Sequence, residues 1–304
     1  MNDLITDVKN LEIETLKNLK NSKAHNTLRA YQADFKDFSA FCAKNGLNSL
    51  PSEPKIIAIY LTHLSSFSKY STLKRRLASI NVIHKLKGHY IDIKHPIITE
   101  NLMGIKRKMG VKQTAKKPLL INDLKSIIKV IDEVKNNSKR LQNKALLLIG
   151  FSGGFRRSEL VSIEYDDLDF VTEGVKIIVR RSKTDQTGLG MIKAIPYFDN
   201  KNYCPVTSLK NWINFSKINN GKIFNISDKT VALTIKKYAL LAGLDHNRYA
   251  GHSLRSGFAT STAETGADER SIMAMTGHKT TQMVRRYIQE SNLFKNNALN
   301  RIKI

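Results

Sequence analysis

Cysteine is scarce: Cys42 and Cys204 are the only two in 304 residues, far apart in the chain. That excludes a disulfide framework and any thiolate metal site, whose ligands come in close pairs, and it is the usage of a protein kept in a reducing compartment. Long apolar runs are also missing. The longest, such as Ala145 to Ile149, fall far short of the ~20 residues a membrane helix needs, so no membrane partner is expected. The opening MNDLITDVKN has no charged segment leading into an apolar one, and no signal peptide is expected. Acidic residues are the third shortage. Asp and Glu number 26 against 50 Lys and Arg, a net charge of +24 and an isoelectric point near 9.9, which favours a polyanionic partner. Residues 1–117 hold 21 basic against 9 acidic side chains and residues 118–304 hold 29 against 17, a surplus of 12 in each. A clamp that grips DNA from two sides fits that division better than a basic tail on a neutral enzyme.

The chain is long enough for two domains. Apolar residues recur at helical spacing from Leu4 to Lys20, and Ser22 then caps a pattern through Leu28, Tyr31, Phe35, Phe38 and Phe41 that Gly46 ends. Ser52 opens a third helix, Thr72 a fourth that Gly88 stops, and a fifth runs from near Thr99 to Met109. With no stretch of period two among them, the region reads as an all-helical bundle. Its basic faces, Lys69, Lys74, Arg75, Arg76, Lys85 and Lys87 on the fourth helix and Lys106, Arg107 and Lys108 on the fifth, are the candidate DNA contacts. VKQTAKKP, residues 111–118, lacks apolar periodicity and closes on proline, the composition of an exposed connection. The division expected is therefore a helical domain over 1–112, a linker over 113–118 and a second domain over 119–304.

Beyond the linker, Asn122 caps a helix, another runs from Ser138 to Phe151, and Gly153-Gly154 breaks it. Arg156 and Glu159 follow, three apart and able to share a helix edge. Gly174 to Arg180 alternates as a strand and Met191 to Ile195 returns, with Lys183 projecting from the hairpin between them. Helices from Val206 to Ile218 and Ser227 to Ala242 complete the scaffold. The informative stretch is Ala250 to Ile288. His252 and Arg255 are three apart on a helix starting near Ser253; Asp268 caps a short helix ending at Gly277; His278 follows, and Thr280 or Thr281 caps a helix carrying Tyr287. The set holds cations, neutral donors and a phenol, with no carboxylate pair for a metal, and suits an anionic substrate better than a sugar or peptide. Neither a metal nor a cofactor is expected. Past Tyr287, Ser291 can cap a helix with an apolar stripe of Leu293, Phe294, Ala298, Leu299 and Ile302 that needs a partner.

In order, GGFRRSEL, the hairpin lysine in RRSKTDQ, GHSLRS and TGHKTTQMVRRY resemble the boxes of the tyrosine recombinases, the phage-integrase family, over essentially the whole chain. The resemblance implies a mainly α fold with a small β-sheet in the catalytic domain: an N-terminal helical core-binding bundle and a C-terminal catalytic domain, similar to Cre-like integrases. It makes Arg156 the first catalytic arginine, Glu159 its acidic support, Lys183 the general acid, His252 and Arg255 the HxxR pair, His278 the second histidine and Tyr287 the nucleophile. Arg157 departs from the family, which usually has an apolar residue there; spacing to Glu159 selects Arg156 from the doublet. The resemblance further implies cleavage of double-stranded DNA at paired inverted-repeat half-sites, a 3′-phosphotyrosyl intermediate and a Holliday junction. The enzyme would be monomeric when free, tetrameric on DNA, and cytoplasmic with the nucleoid. Relaxation of supercoils in the manner of a type IB topoisomerase, with nearly the same residues, and non-catalytic DNA-binding regulation are the alternatives.

The chemistry is consistent with these residue types. A phosphodiester under attack gains negative charge that two guanidiniums can fork onto while histidines donate further. A free tyrosine, pKa near 10, is ionised about one part in a thousand at pH 7, roughly 4 kcal/mol against attack, which a cationic pocket and a nearby base reduce.

Overall fold

The computed structural model describes residues 25–110, 116–180 and 190–292, together with Leu11, Glu14 and Asn18. The chain forms two compact units, 1–113 and 114–304. The expected helix over Leu4–Lys20 and its successor's cap at Ser22 fall almost wholly outside the described residues.

The first unit is helical throughout its described part: α1 (His25–Lys44), α2 (Pro54–Ser65), α3 (Tyr70–Leu86) and α4 (Pro96–Met109). α1 packs on α3 and α2 on α4, because residues at helical spacing, among them Phe38, Ile57, Leu61, Leu64, Leu73, Ile80, Ile98 and Leu102, turn to one core. The helix starts differ from those the polar residues suggested. α2 begins at Pro54 behind Glu53, since proline's fixed φ and missing N–H suit a first turn. Ser52 is buried, and its backbone N–H donates to His84 Nε2 at 3.1 Å. α3 begins behind Lys69, ahead of Thr72, and α4 at Pro96, ahead of Thr99, with His95 Nδ1 accepting from the Ile97 N–H. A polar network crosses α1 and α3: buried Asp34 accepts from Arg75 and, at 2.7 Å, from Ser79 Oγ, while Asp37 accepts from Arg76 and from Tyr60 Oη.

The second unit opens with α5 (Ile121–Asp132), α6 (Asn137–Ser152) and the short α7 (Arg157–Val161). Leu120, not Asn122, is the N-cap of α5, whereas the Asn136 side chain does cap α6 by accepting from the Lys139 N–H. Every residue of α6 from Ala145 to Ser152 is buried. The apolar run Ala145–Ile149 is thus a core helix, with α8 (Pro205–Ser216) and α10 (Ser253–Glu264) packed against α6. α9 (Asp228–Leu241) is capped by Ser227 and packs on α5 and α7. β1 (Leu168–Val171), β2 (Gly174–Val179) and β3 (Met191–Pro196) form an antiparallel sheet in that order. β1 had no counterpart in the sequence reading. Val175, Ile177 and Val179 of β2 and Lys193 and Ile195 of β3 face the core, with Ile177 paired to Lys193.

The entry segment is tied to α10. Lys117 N–H donates to Arg248 O at 2.8 Å and Leu119 N–H to Ser253 O at 2.9 Å. Gly257 makes this possible, for a Cβ there would lie 1.9 Å from Leu119 O. α11 (Glu269–Thr276) is capped by Asp268, whose Oδ1 accepts from the N–H groups of Arg270 and Ser271, and it ends at Gly277 in the left-handed region, φ 63°. α12 (Thr281–Asn292) docks through buried Val284 and half-buried Tyr287 on Ala259, Ala263 and Ile272. Ser291 lies inside α12 and does not open a new helix; the rest of the expected tail stripe falls outside the described residues.

Candidate active site

Arg156 is the N-cap of α7. Glu159, three residues on and buried, reaches back to accept the Arg156 N–H at 2.9 Å and the guanidinium Nη1 at 2.5 Å. One carboxylate therefore caps the helix and aims the arginine. Arg157 goes elsewhere: it lies across Gly251 and pairs with Asp228 at 3.8 Å, 40% exposed. The doublet is split by backbone geometry, one side chain turning in toward Glu159 and the other out.

Arg255 is 1% exposed, an unusual place for a guanidinium. Its Nη1 donates to Gly154 O at 2.9 Å, and its buried Nη2 has no hydrogen-bond partner among the described residues. Burial, then the charge of Arg156, pushes its pKa down to about 10, with Glu159 and Tyr287 pulling the other way; it stays a cation at neutral pH. A buried cation with an unmet donor is suited to hold an anion.

His252, exposed, is the N-cap of α10, its Nε2 3.3 Å from Tyr287 Oη. Protein packed around the ring, then the charges of Arg255, Arg156 and Arg157, hold its pKa below the usual imidazole range. His278 is pushed down to about 4, first by burial and then by Arg255, Arg156, His252 and Lys193. Its tautomer follows from its neighbour. Thr276 Oγ1 has one hydrogen and gives it to Ile272 O at 2.6 Å, so it must accept the Nδ1–H of His278 at 2.7 Å. His278 Nε2 is then a bare acceptor, with its ring centroid 6.0 Å from that of Tyr287. Thr276, which gave no signal in the sequence, fixes that choice.

The structure thus gathers Arg156, Glu159, His252, Arg255, His278 and Tyr287 at one place. Lys183 lies outside the described residues. Lys193, which the sequence reading passed over, is fully buried beside this cluster. Among the described residues no three His, Cys, Asp or Glu side chains converge as metal ligands, and no helix is long and apolar enough to cross a membrane. In the first unit Lys69, Lys74, Lys85, Lys87, Lys106, Arg107 and Lys108 are exposed. Arg75 pairs with Asp34 and Arg76 with Asp37 of their own bundle; Arg75 stays 46% exposed, whereas Arg76 is only 17% exposed.

Comparison with known proteins places this geometry. The model of the phage integrase family matches residues 118–293, and that of the phage integrase N-terminal SAM-like domain matches residues 14–87. An integrase/recombinase xerD homolog of Selenomonas ruminantium is 42% identical over 249 residues, covering 77% of this chain and 72% of that protein. Tyrosine recombinase XerA of Pyrococcus horikoshii is 27% identical over 188 residues, 62% of each. Among solved structures, XerH site-specific recombinase bound to palindromic difH substrate superposes with a TM-score of 0.61 at 17% identity, over 81% of this chain and 73% of that one. A lambda integrase (75–356) dimer bound to a COC′ core site gives 0.59 at 18% identity, over 97% and 98%. These structures share the fold, and the sequence matches carry the kinship: the chain belongs to the phage integrase family, the tyrosine recombinases, enzymes of site-specific DNA recombination.

Proposed function

We propose that Tyr287 is the nucleophile of a DNA strand transfer in which the phosphate lies against Arg255 and Arg156. The observation that carries this reading is Arg255: buried, charged, and holding out an unmet Nη2 donor next to the phenol. The Tyr287 oxygen forms a bond to phosphorus as the bond to the 5′ oxygen breaks, leaving a 3′-phosphotyrosyl enzyme. The phenolic proton passes to a histidine: His252 Nε2 stands 3.3 Å from the phenol oxygen, and the bare Nε2 of His278, fixed by its tautomer, is the other acceptor beside it. Lys183 supplies the proton that the departing 5′ oxygen needs. Attack by another strand's 5′ hydroxyl reverses the step and rejoins the DNA through a Holliday junction, with no ATP because the phosphotyrosine keeps the bond energy. Four protomers on two sites of paired inverted half-sites carry this out, in the cytoplasm at the nucleoid. Lys69, Lys74, Lys85, Lys87, Lys106, Arg107 and Lys108 hold the DNA backbone, while Arg75 and Arg76 brace the bundle that presents them.

Tyr287→Phe tests the reading on a nicked suicide substrate. It should bind the site normally and yield no covalent complex; a denaturant-resistant protein–DNA band from that variant would show that another residue attacks. Wild-type cleavage should persist in excess EDTA without nucleotide, since the charge stabilisation comes from guanidiniums and imidazoles, and a strict Mg²⁺ requirement would sink the mechanism.

A further inference from the structure

One buried cation has no part in that reaction. Lys193 is 0% exposed, in the inward row of β3 where Ile195 and, across the pair, Ile177 are its fellows. An aliphatic side chain would fill that row without the cost of desolvating an amine, so the amine must answer something specific. It does. Nζ donates to Gly153 O at 2.6 Å and to Met275 O, and it stands 4.6 Å from the centroid of the Phe155 ring. Gly153 is the C-cap of α6 and Met275 is in the last turn of α11. Both carbonyls belong to helix ends, where intrahelical donors have run out and the dipole is negative.

Each of those ends leads directly into the site. From Gly153 the chain passes Gly154, whose carbonyl accepts from Arg255, and reaches Arg156. From Met275 it passes Thr276 and the left-handed Gly277 to His278. We propose that Lys193 is a positioning residue of the strand-transfer site, its amine crosslinking the end of α6 to the end of α11 and so fixing the separation of Arg156 and Arg255 from His278 across the phosphate. The inference rests on the roles given above to those three residues. The charged groups that bear on the amine are Glu159, Arg255 and Arg156: burial first, then the two arginines, bring its pKa down to about 7, and Glu159 opposes them. As a neutral amine it keeps an N–H for each carbonyl; as an ammonium it adds a positive charge behind the phosphate.

The test uses the full chain with Lys193→Met, of similar length and no donor, and Lys193→Gln, which keeps two N–H groups. Site binding, thermal midpoint and single-turnover cleavage of a nicked suicide substrate at saturating protein are measured from pH 5.5 to 9. Lys193→Met should bind and melt as wild type does, yet cleave about 10- to 100-fold more slowly, the scale of a small misplacement of catalytic groups, and lose any inflection near pH 7. Lys193→Gln should recover part of the rate. Wild-type cleavage and pH profile in Lys193→Met would overturn the proposal, as would a loss that merely tracks melting and binding. Should both variants fail to fold, wild-type protein labelled with ¹³Cε-lysine settles the matter. The Lys193 signal should titrate near neutrality and at higher pH once vanadate is added, and a titration unmoved by vanadate would overturn it. Tyr287→Phe and Arg255→Met run alongside: if these still cleave, the active-site reading has failed, not the role of Lys193.

Discussion

Arg255→Met separates what the guanidinium does for the reaction from what it does to the fold. Burial lowers the pKa of Arg255 from the ordinary guanidinium range to about 10. The group is therefore charged in both states at neutral pH, and the folded state bears the penalty, on the order of 3 kcal/mol at 1.36 kcal/mol per pH unit. The sign is that of a depressed base: the penalty is complete at every pH below about 10 and fades only as the pH climbs above that toward the ordinary guanidinium range. Methionine removes it, but forfeits the bond to Gly154 O, worth roughly 1–2 kcal/mol. The net expectation is a free protein more stable by about 1–2 kcal/mol, a rise of a few degrees in the melting of the second unit. That advantage should stay flat from pH 6 to 9. Cleavage should fall about 10²-fold or more, because the phosphate loses its buried donor. A DNA half-site should raise the melting midpoint of wild type more than that of the variant. Urea unfolding and suicide-substrate cleavage measure the two arms. A variant less stable than wild type by more than about 1 kcal/mol would refute the bookkeeping, and one that cleaves normally would remove Arg255 from the site.

Arg156→Ala should lose cleavage steeply, about 10²-fold or more, while Arg157→Ala, whose side chain reaches Asp228 at the surface, should keep most of it; the reverse outcome on the suicide substrate would show the doublet wrongly divided. His278 and His252 are held neutral in the fold, His278 down to about 4, so the unfolded chain takes up protons first as the pH falls. Stability of the free protein should accordingly decline between about pH 6.5 and 4, followed by urea midpoints, and His278→Asn should flatten the decline. Trypsin should cut the connection first after Lys112, ahead of Lys116, whose amine donates to Asn247 O at 2.6 Å; the Lys117–Pro118 bond is closed to trypsin by the proline. Cognate DNA should slow that cut if the units close on it; mass spectrometry of early fragments, and equal rates with and without DNA, would expose an error in either half.

The site was legible wherever chemistry is tied to local spacing. HxxR, the glycine before His278 and the position of Tyr287 each depend on one helix or one turn; α10 and α11 begin and end, and α12 begins, close to where those residues suggested. What was not legible depends on distant partners. The basic face of α3 announced charge but not its direction, and only the folded α1 brings Asp34 and Asp37 against Arg75 and Arg76. Lys193 escaped because period two says which side faces in, while the reason for a lysine there lies in carbonyls 40 and 82 residues away. β1 is four residues long and half-buried, too short for alternation to declare itself. Helix starts at Pro54 and Pro96 outcompeted Ser52 and Thr99, since a fixed φ can open a helix without any capping hydroxyl.

The bonds from Lys117 to Arg248 and from Leu119 to Ser253 have a mechanical side. They fasten the incoming chain to residues on either side of His252, and Gly257 lets the strand lie flush against α10, as a rope lies in a cleat. A pull on the connection therefore acts on the turn that holds His252 and on the opening of the helix that holds Arg255, as well as on α5 through Lys117 and Asp123. Tension and reactivity thus share one anchor point in this chain.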